Sequence, residues 1–376
     1  MPGLLPDIDP DGLLEFSVVF TDRSLNHMSN RFQDVMKDIS ATLKQVYNAA
    51  GVAVVPGGGT YGMEAVARQF ATDQHCLVIR NGFFSFRWTQ IFEIGAIPAS
   101  HTVCMARRAS SSASAPFAPM PVEEVCETIR EEKPAVVFAP HVETAAGIIL
   151  PDDYIQAVTE ATHEVGGLFV LDCIASGAAW VDMQAVGVDI LISAPQKGWS
   201  ASPCSALVML SETAMERIEE TTSTSFAVDL KKWLQIMQTY EDGGHAYHAT
   251  MPTDSLTQFR DTMMESAQIG FDNLKARQFE LGGKVRAMLA ERGLQSVAAE
   301  GFEAPGVVVS YTDRGDMQNG SAFVPAGMQI AAGVPLQCNE GDDYRSFRLG
   351  LFGLDKLGNI DRTVTALSDA LDQVLA

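Results

Sequence analysis

Seven short apolar runs, none of them alternating with polar residues, constrain this chain more than any other feature. They are VAVV at 52–55, CLVI at 76–79, TVCM at 102–105, AVVFA at 135–139, GLFVL at 167–171, ILIS around 191–193 and ALVML at 206–210. A strand with one wet face alternates, whereas a strand covered on both faces reads as a continuous run. Helical patterns lie between the runs. The clearest spans 31–48, where Phe32, Val35, Met36, Ile39, Leu43, Val46 and Tyr47 recur at helical spacing and make one apolar face. The expected class is therefore α/β, with a large, doubly wound, mostly parallel seven-stranded sheet.

The texture changes after residue 211. To about 293 it is helical throughout, including SLTQFRDTMMESAQIGFDNLKARQFELGGKVRAML; strand patterns return at GVVVSYT (306–312) and SFRLGLF (346–352), followed by the helical NIDRTVTALSDALDQVL. The expected organisation is an N-terminal arm at 1–24, a large domain at 25–260 and a smaller α+β domain at 261–376. SSSASAPFAP at 110–119 reads as a polar connection.

Charge narrows the function classes. Lys plus Arg is 26 against 47 Asp plus Glu, a net charge of −21. So acidic a chain repels phosphate backbones and anionic headgroups, so neither nucleic acid nor a membrane surface is an expected partner. No apolar run reaches the roughly 18–20 residues that span a bilayer. MPGLLPDIDPDGLLEF carries acids where an export signal needs bases, so the expected compartment is the cytoplasm. Cys76, Cys104, Cys126, Cys173, Cys204 and Cys338 show neither C-x-x-C nor metal-ligand spacing and read as free structural thiols. The seven histidines form no cluster, and no metal is expected; His141, His245 and His248 read as packing or positioning residues.

Two stretches carry chemistry. The first, VAVVPGGGTYGMEAVARQF, places Gly57-x-Gly59-x-x-Gly62 after a strand and at the opening of a helix. Bared amides at a helix N-terminus bind phosphate of any kind. The same glycines also suit close packing of a helix on a strand, and both readings stand at this point. A plain NAD site needs an acid after the next strand, which here ends in Arg80-Asn81. The second stretch is GLFVLDCIASGAAWVDMQAVGVDILISAPQKGWSASPCS at 167–205. Asp172 closes one buried-type strand and Lys197 follows the next. A lysine amine forms a Schiff base with pyridoxal phosphate, and a carboxylate keeps the pyridine nitrogen protonated.

With these residues in place, the chain resembles the class V branch of the fold-type I pyridoxal-phosphate aminotransferases, near the alanine–glyoxylate and serine–glyoxylate group, over roughly residues 25–376. VDILISAPQKGWSASP is similar to that group's lysine motif, which gives Lys197 the cofactor linkage and Gln196 a phosphate contact. LDCIAS matches the strand whose Asp172 holds the pyridine nitrogen. PGGGTYGMEAVA matches the phosphate turn, through the amides of Gly58, Gly59 and Thr60. NGFFSFRW resembles the segment whose ring, here Phe84, stacks on the cofactor, and HVETAAGIILP the one whose Thr144 faces it. YHATMPTDSL resembles the piece in which Tyr247 and Thr250 reach a partner subunit's phosphate, which implies a homodimer. SFRLGLFG resembles the strand whose Arg348 clamps the substrate carboxylate.

Arg348 also has a local case, because its planar fork matches a carboxylate. Its alternative is an internal ion pair with Asp342 or Asp343, and Arg345 is the alternative clamp on the opposite strand face. The resemblance implies a ping-pong transfer of an amino group from a small L-amino acid (alanine, serine or aspartate type) to a 2-oxo acid such as glyoxylate or pyruvate, with Lys197 as general base. The departures are the missing PGP-type N-terminal loop, Gly58 and Thr60 where relatives often place serine and histidine, and Phe84 where tryptophan is common. The rival readings are a phosphonate or sulfonate amine donor, a lyase or cysteine desulfurase on the same fold, and a nicotinamide oxidoreductase resting on the three glycines.

Overall fold

All seven apolar runs become strands of one sheet: β1 (Gly51–Pro56), β2 (His75–Arg80), β3 (Ser100–Met105), β4 (Val136–Pro140), β5 (Leu168–Asp172), β6 (Ile190–Ser193) and β7 (Ser205–Leu210). The computed structural model describes residues 13–376, and residues 1–12 of the expected N-terminal arm lie outside the described residues. The sheet order is β1-β7-β6-β5-β4-β2-β3. The five strands from β6 to β3 pair in parallel, while β7 runs antiparallel to both β6 and β1. Two reversals leave β1 running the same way as the parallel five. Strands β4 to β7 are buried at every position, as their unbroken apolar runs require. The run at β3 misleads: only Cys104 is buried there, because β3 is an edge strand with β2 as its single neighbour.

Helices α1 (Asn30–Tyr47), α2 (Gly59–Phe70), α3 (Phe83–Gly95), α4 (Val122–Glu132) and α5 (Asp152–Glu164) lie between the strands or ahead of them. In α1 the expected face is the buried one, with Phe32, Val35, Met36, Ile39, Leu43 and Tyr47 inside, and the Ser29 hydroxyl caps it by accepting from the Phe32 N–H at 3.1 Å. The helical stretch after residue 211 forms α6 (Glu212–Glu220), α7 (Leu230–Glu241), α8 (Thr253–Ile269) and α9 (Phe271–Glu291). Helices α7 and α8 pack on α1, whereas α9 packs on the C-terminal strand β8 (Val307–Tyr311) and on the last helix, α10 (Ile360–Leu375). β8 pairs antiparallel with β10 (Ser346–Gly350), which pairs with β9 (Ala331–Ala332). β8 and β10 are the two expected strands; β9, two residues long, has no periodicity to betray it. Among the described residues no helix is long and apolar enough to cross a membrane.

Candidate active site

The sheet collects the sequence candidates at one edge. Gly57–Thr60 follow the C-terminal end of β1, Phe84 follows β2, Thr144 follows β4, Asp172 ends β5 and Lys197 follows β6. All five strands run the same way, so all five segments emerge on one side, where open α/β sheets bind their ligands. Asp172 is paired in register with Ile192 of β6. The 25 residues from Asp172 to Lys197 thus close to about one strand spacing, roughly 5 Å, plus a short turn.

The lysine turn is held from beneath. Trp199 is fully buried, with its ring centroid 4.6 Å from that of Trp180 and 6.3 Å from that of Tyr47. Gly198 lies so close to the Gly177 carbonyl that no side chain fits there. Lys197 Nζ stands 5.1 Å from the centroid of the Phe352 ring. Burial and the positive charge of Arg348 lower its pKa, against the opposing pull of Asp172. Asp172 is itself buried and accepts the Ile174 N–H at 2.9 Å. Burial, with the Glu143 charge adding to it, holds its carboxyl up at about 7, while Ile174, Arg87 and Lys197 pull the other way.

A cavity of about 780 Å³ joins Lys197 to Phe84, Thr144, Arg348 and Phe352. Arg348 comes from the second sheet, where β10 is paired at that residue with Val309 and Ala331. Its Nε donates to the Ala332 carbonyl at 2.7 Å, and its Cζ lies 5.4 Å from the centroid of the Phe84 ring. The expected alternatives do not form: among the described residues Arg348 makes no ion pair with Asp342 or Asp343, and Arg345 is exposed, reaching the Asp313 carbonyl instead of the cavity. Gln196, beside the lysine, has a buried Oε1 with no hydrogen-bond partner.

The glycine turn divides its labour. A Cβ on Gly59 would come within 2.5 Å of Ile174, and one on Gly62 within 2.6 Å of Ala206 Cβ. Those two glycines let α2 lie close against the sheet, two residues from Asp172. Gly57 sits at φ 123°, a conformation that disfavours any side chain. Gly58 faces open space, and no side chain caps α2. Packing and an open helix N-terminus therefore coexist in one motif.

Two further residues belong to the site although the sequence did not single them out. Glu143, fully buried beside Thr144, accepts from the backbone N–H groups of Phe84 (3.2 Å), Ser85 (2.8 Å) and Ala145 (2.9 Å) and from the Ser85 hydroxyl (2.7 Å). A carboxylate at the N-terminus of α3 fixes the helix turn that carries Phe84. Arg87, one turn after Phe84, has its Cζ 5.1 Å from the Phe84 ring centroid and donates to Thr60 Oγ1 at 3.0 Å. The signals were a lone acid inside the apolar HVETAAG and a base at i+3 from Phe84. His141 is hydrogen-bonded through Nδ1 to Ser176 Oγ at 2.7 Å; burial, with Lys275 nearby, pushes its pKa down to about 3. Tyr247 and Thr250 do not line the Lys197 cavity. Tyr247 is 53% exposed, and its hydroxyl lies 3.1 Å from Thr250 Oγ1.

The chain belongs to the class-V aminotransferase family, whose pattern matches residues 15–318. It is 27% identical over 363 residues to the alanine–glyoxylate aminotransferase of Oryctolagus cuniculus, covering 92% of this chain and 86% of that relative. The solved structure of the alanine–glyoxylate aminotransferase of Nostoc sp. superposes with a TM-score of 0.79 at 22% identity, over 93% of this chain and 89% of that one. That of the ureidoglycine–glyoxylate aminotransferase of Bacillus subtilis gives 0.77 at 20%, over 96% and 88%. The expected fold is thereby shown: a seven-stranded, mostly parallel sheet with a C-terminal antiparallel sheet, shared with fold-type I aminotransferases.

Proposed function

We propose that this class-V aminotransferase moves the amino group of a small L-amino acid, of the alanine, serine or aspartate type, to a 2-oxo acid such as glyoxylate or pyruvate. The observation that carries the reading is the meeting in one cavity of Lys197, whose ammonium is disfavoured by burial and by Arg348, with the guanidinium of Arg348 itself. The family uses pyridoxal phosphate, and the residues fit it. Gln196 has an unpartnered amide oxygen beside the lysine, α2 has no side-chain cap, and Asp172 is a buried carboxyl with no cation bonded to it among the described residues. When bound, the cofactor supplies an aldehyde carbon that takes the amino group and a cationic ring that accepts the electron pair left at the substrate Cα.

The chain's residues then divide the work. Lys197 would hold the cofactor and move the proton at the substrate Cα; burial and Arg348 favour its neutral amine, the form that accepts a proton. Asp172 holds a proton on the pyridine nitrogen. Phe84 and Thr144 face the ring, and Gln196 with the amides of Gly58, Gly59 and Thr60 holds the phosphate. Arg348 orients the substrate carboxylate. In a homodimer, Tyr247 and Thr250 extend this set across the interface to the partner's phosphate.

The desulfurase reading needs an accessible, acidic thiol. All six cysteines are buried and free, and burial raises every one of them, Cys338 to about 12. The decisive test is an absorption spectrum of the purified protein from about 300 to 500 nm, with L-alanine, L-serine and L-aspartate added separately and glyoxylate or pyruvate afterwards. A band that one donor converts and an oxo acid restores supports the proposal and names the pair. A band that no donor moves shifts the assignment to a phosphonate or sulfonate amine or to a lyase, and no band after added pyridoxal phosphate removes it.

A further inference from the structure

Arg87 is a cation beside the candidate site that the proposed chemistry leaves without a task. It is half-buried, and among the described residues it enters no ion pair, whereas Arg68, Arg107, Arg130, Arg260, Arg292 and Arg314 each meet a carboxylate within 2.8 Å. A guanidinium has five N–H donors. The recorded bond of Arg87 takes one of them, to a neutral hydroxyl, that of Thr60. That bond is solvent-exposed, so the remaining donors are open to an anion that comes to the turn.

The place where that anion would sit follows from the neighbours. Thr60 is the second residue of α2, so its hydrogen bond fastens the guanidinium to the open end of that helix. The turn offers few side-chain donors of its own, because Gly58 and Gly59 have none. On the other side, the same Phe84 ring is met by Arg348, so two guanidiniums approach one ring at 5.1 and 5.4 Å. Two like charges around one ring suit a ligand assembly with two anionic ends, a carboxylate at Arg348 and a phosphate at the turn.

Resting on the cofactor reading above, we infer that Arg87 is a cofactor-binding residue that pairs directly with the phosphate of pyridoxal phosphate. Its charge is also felt at the ring's far end, where it favours the ionised form of Asp172.

Binding to the cofactor-free full chain tests this without reference to turnover. Dissociation constants are measured by equilibrium dialysis for pyridoxal phosphate and for pyridoxal, which lacks the phosphate, with the wild type and with Arg87→Gln. Loss of one charge-assisted contact weakens pyridoxal phosphate roughly tenfold to hundredfold, and pyridoxal stays within about twofold. Arg87→Met, which keeps the stem on Phe84, gives the same split and stands in if the glutamine variant melts early. Equal affinities of variant and wild type for pyridoxal phosphate overturn the inference. So does an equal loss for pyridoxal, which would assign Arg87 to the ring. A wild type that shows no preference for pyridoxal phosphate over pyridoxal overturns the inference too, and no binding of either compound removes the cofactor assignment itself.

Discussion

Replacing Asp172 by asparagine should act in opposite directions on the bare protein and on cofactor binding. The carboxyl is buried, and in the folded chain it titrates near 7 against an ordinary 3.8. Between those values the unfolded chain gives up its proton while the folded chain keeps it, so this group makes stability fall as pH rises. Its contribution is intact below about pH 4 and lost once pH passes 7. The full shift is on the order of 4 kcal/mol, of which about 2–3 kcal/mol falls between pH 5 and pH 8. Asparagine keeps the shape and the oxygen that accepts the Ile174 N–H, and it has no proton to lose. Urea unfolding of the cofactor-free proteins at pH 5, 6, 7 and 8 gives the comparison. Many other groups titrate in a chain of net charge −21, so only the difference between the two proteins counts. That difference should grow with pH in favour of Asp172→Asn, while the variant binds pyridoxal phosphate more weakly because the pyridinium has lost its anion. Parallel stability curves would refute the claim that burial dominates this carboxyl.

Arg348→Lys keeps the charge but not the fork, and should raise KM for the oxo acid by roughly tenfold or more; spectral titrations that match wild type would move the carboxylate clamp elsewhere. Gly62→Val drives a Cβ to 2.6 Å from that of Ala206 and should cost about 1–3 kcal/mol in urea unfolding, whereas Gly58→Ala, with nothing within 4 Å, should stay within about 0.5 kcal/mol. His163 is bonded through Nε2 to the buried Asp189 at 2.8 Å, and that hydrogen bond raises its pKa. A raised base stabilises the fold below its unfolded pKa, so the advantage of wild type over His163→Gln should be complete in mild acid. It should fade as pH rises through the raised value, and thermal melts at a series of pH values read it directly.

The large sheet was legible because burial on both faces leaves a mark that needs no partner to interpret. A strand such as GLFVL can sit only where both sides are dry, and Leu168–Asp172 is buried throughout. The same logic failed at TVCM, where an apolar composition meets an edge position that only the strand order reveals. Strand direction was equally hidden. β7 is as apolar as the parallel strands β4 to β6, and its reversal rests on which strand it returns beside. β9 was illegible for a simpler reason, since two exposed alanines carry no pattern.

Within the candidate site, some of the residues read from the sequence lie at or just after strand ends, where a polar residue follows an apolar run, whereas Arg348 lies inside β10. Asp172 and Lys197 stand out this way, and the sheet then needs only adjacency to bring them together. Glu143 and Arg87 work differently. Their meaning lies in contacts between segments 58 and 27 residues apart, a carboxylate under the Ser85 N–H and a guanidinium on the Thr60 hydroxyl. A lone acid in HVETAAG and a base three residues after Phe84 are visible locally, but neither stretch says what the side chain meets. Phe84 has its backbone fixed by Glu143 from one element, and its ring met by Arg87 from its own helix and by Arg348 from the second sheet. The bonds to Glu143 pre-organise the turn that carries this ring before any ligand arrives, so less ordering remains to be done on binding. Glu143→Gln, which keeps the size but weakens its four hydrogen bonds, should therefore lower affinity for pyridoxal and pyridoxal phosphate alike. That parallel loss is the opposite of the split expected at Arg87, and the two variants measured together separate a residue that shapes the ring site from one that grips the phosphate.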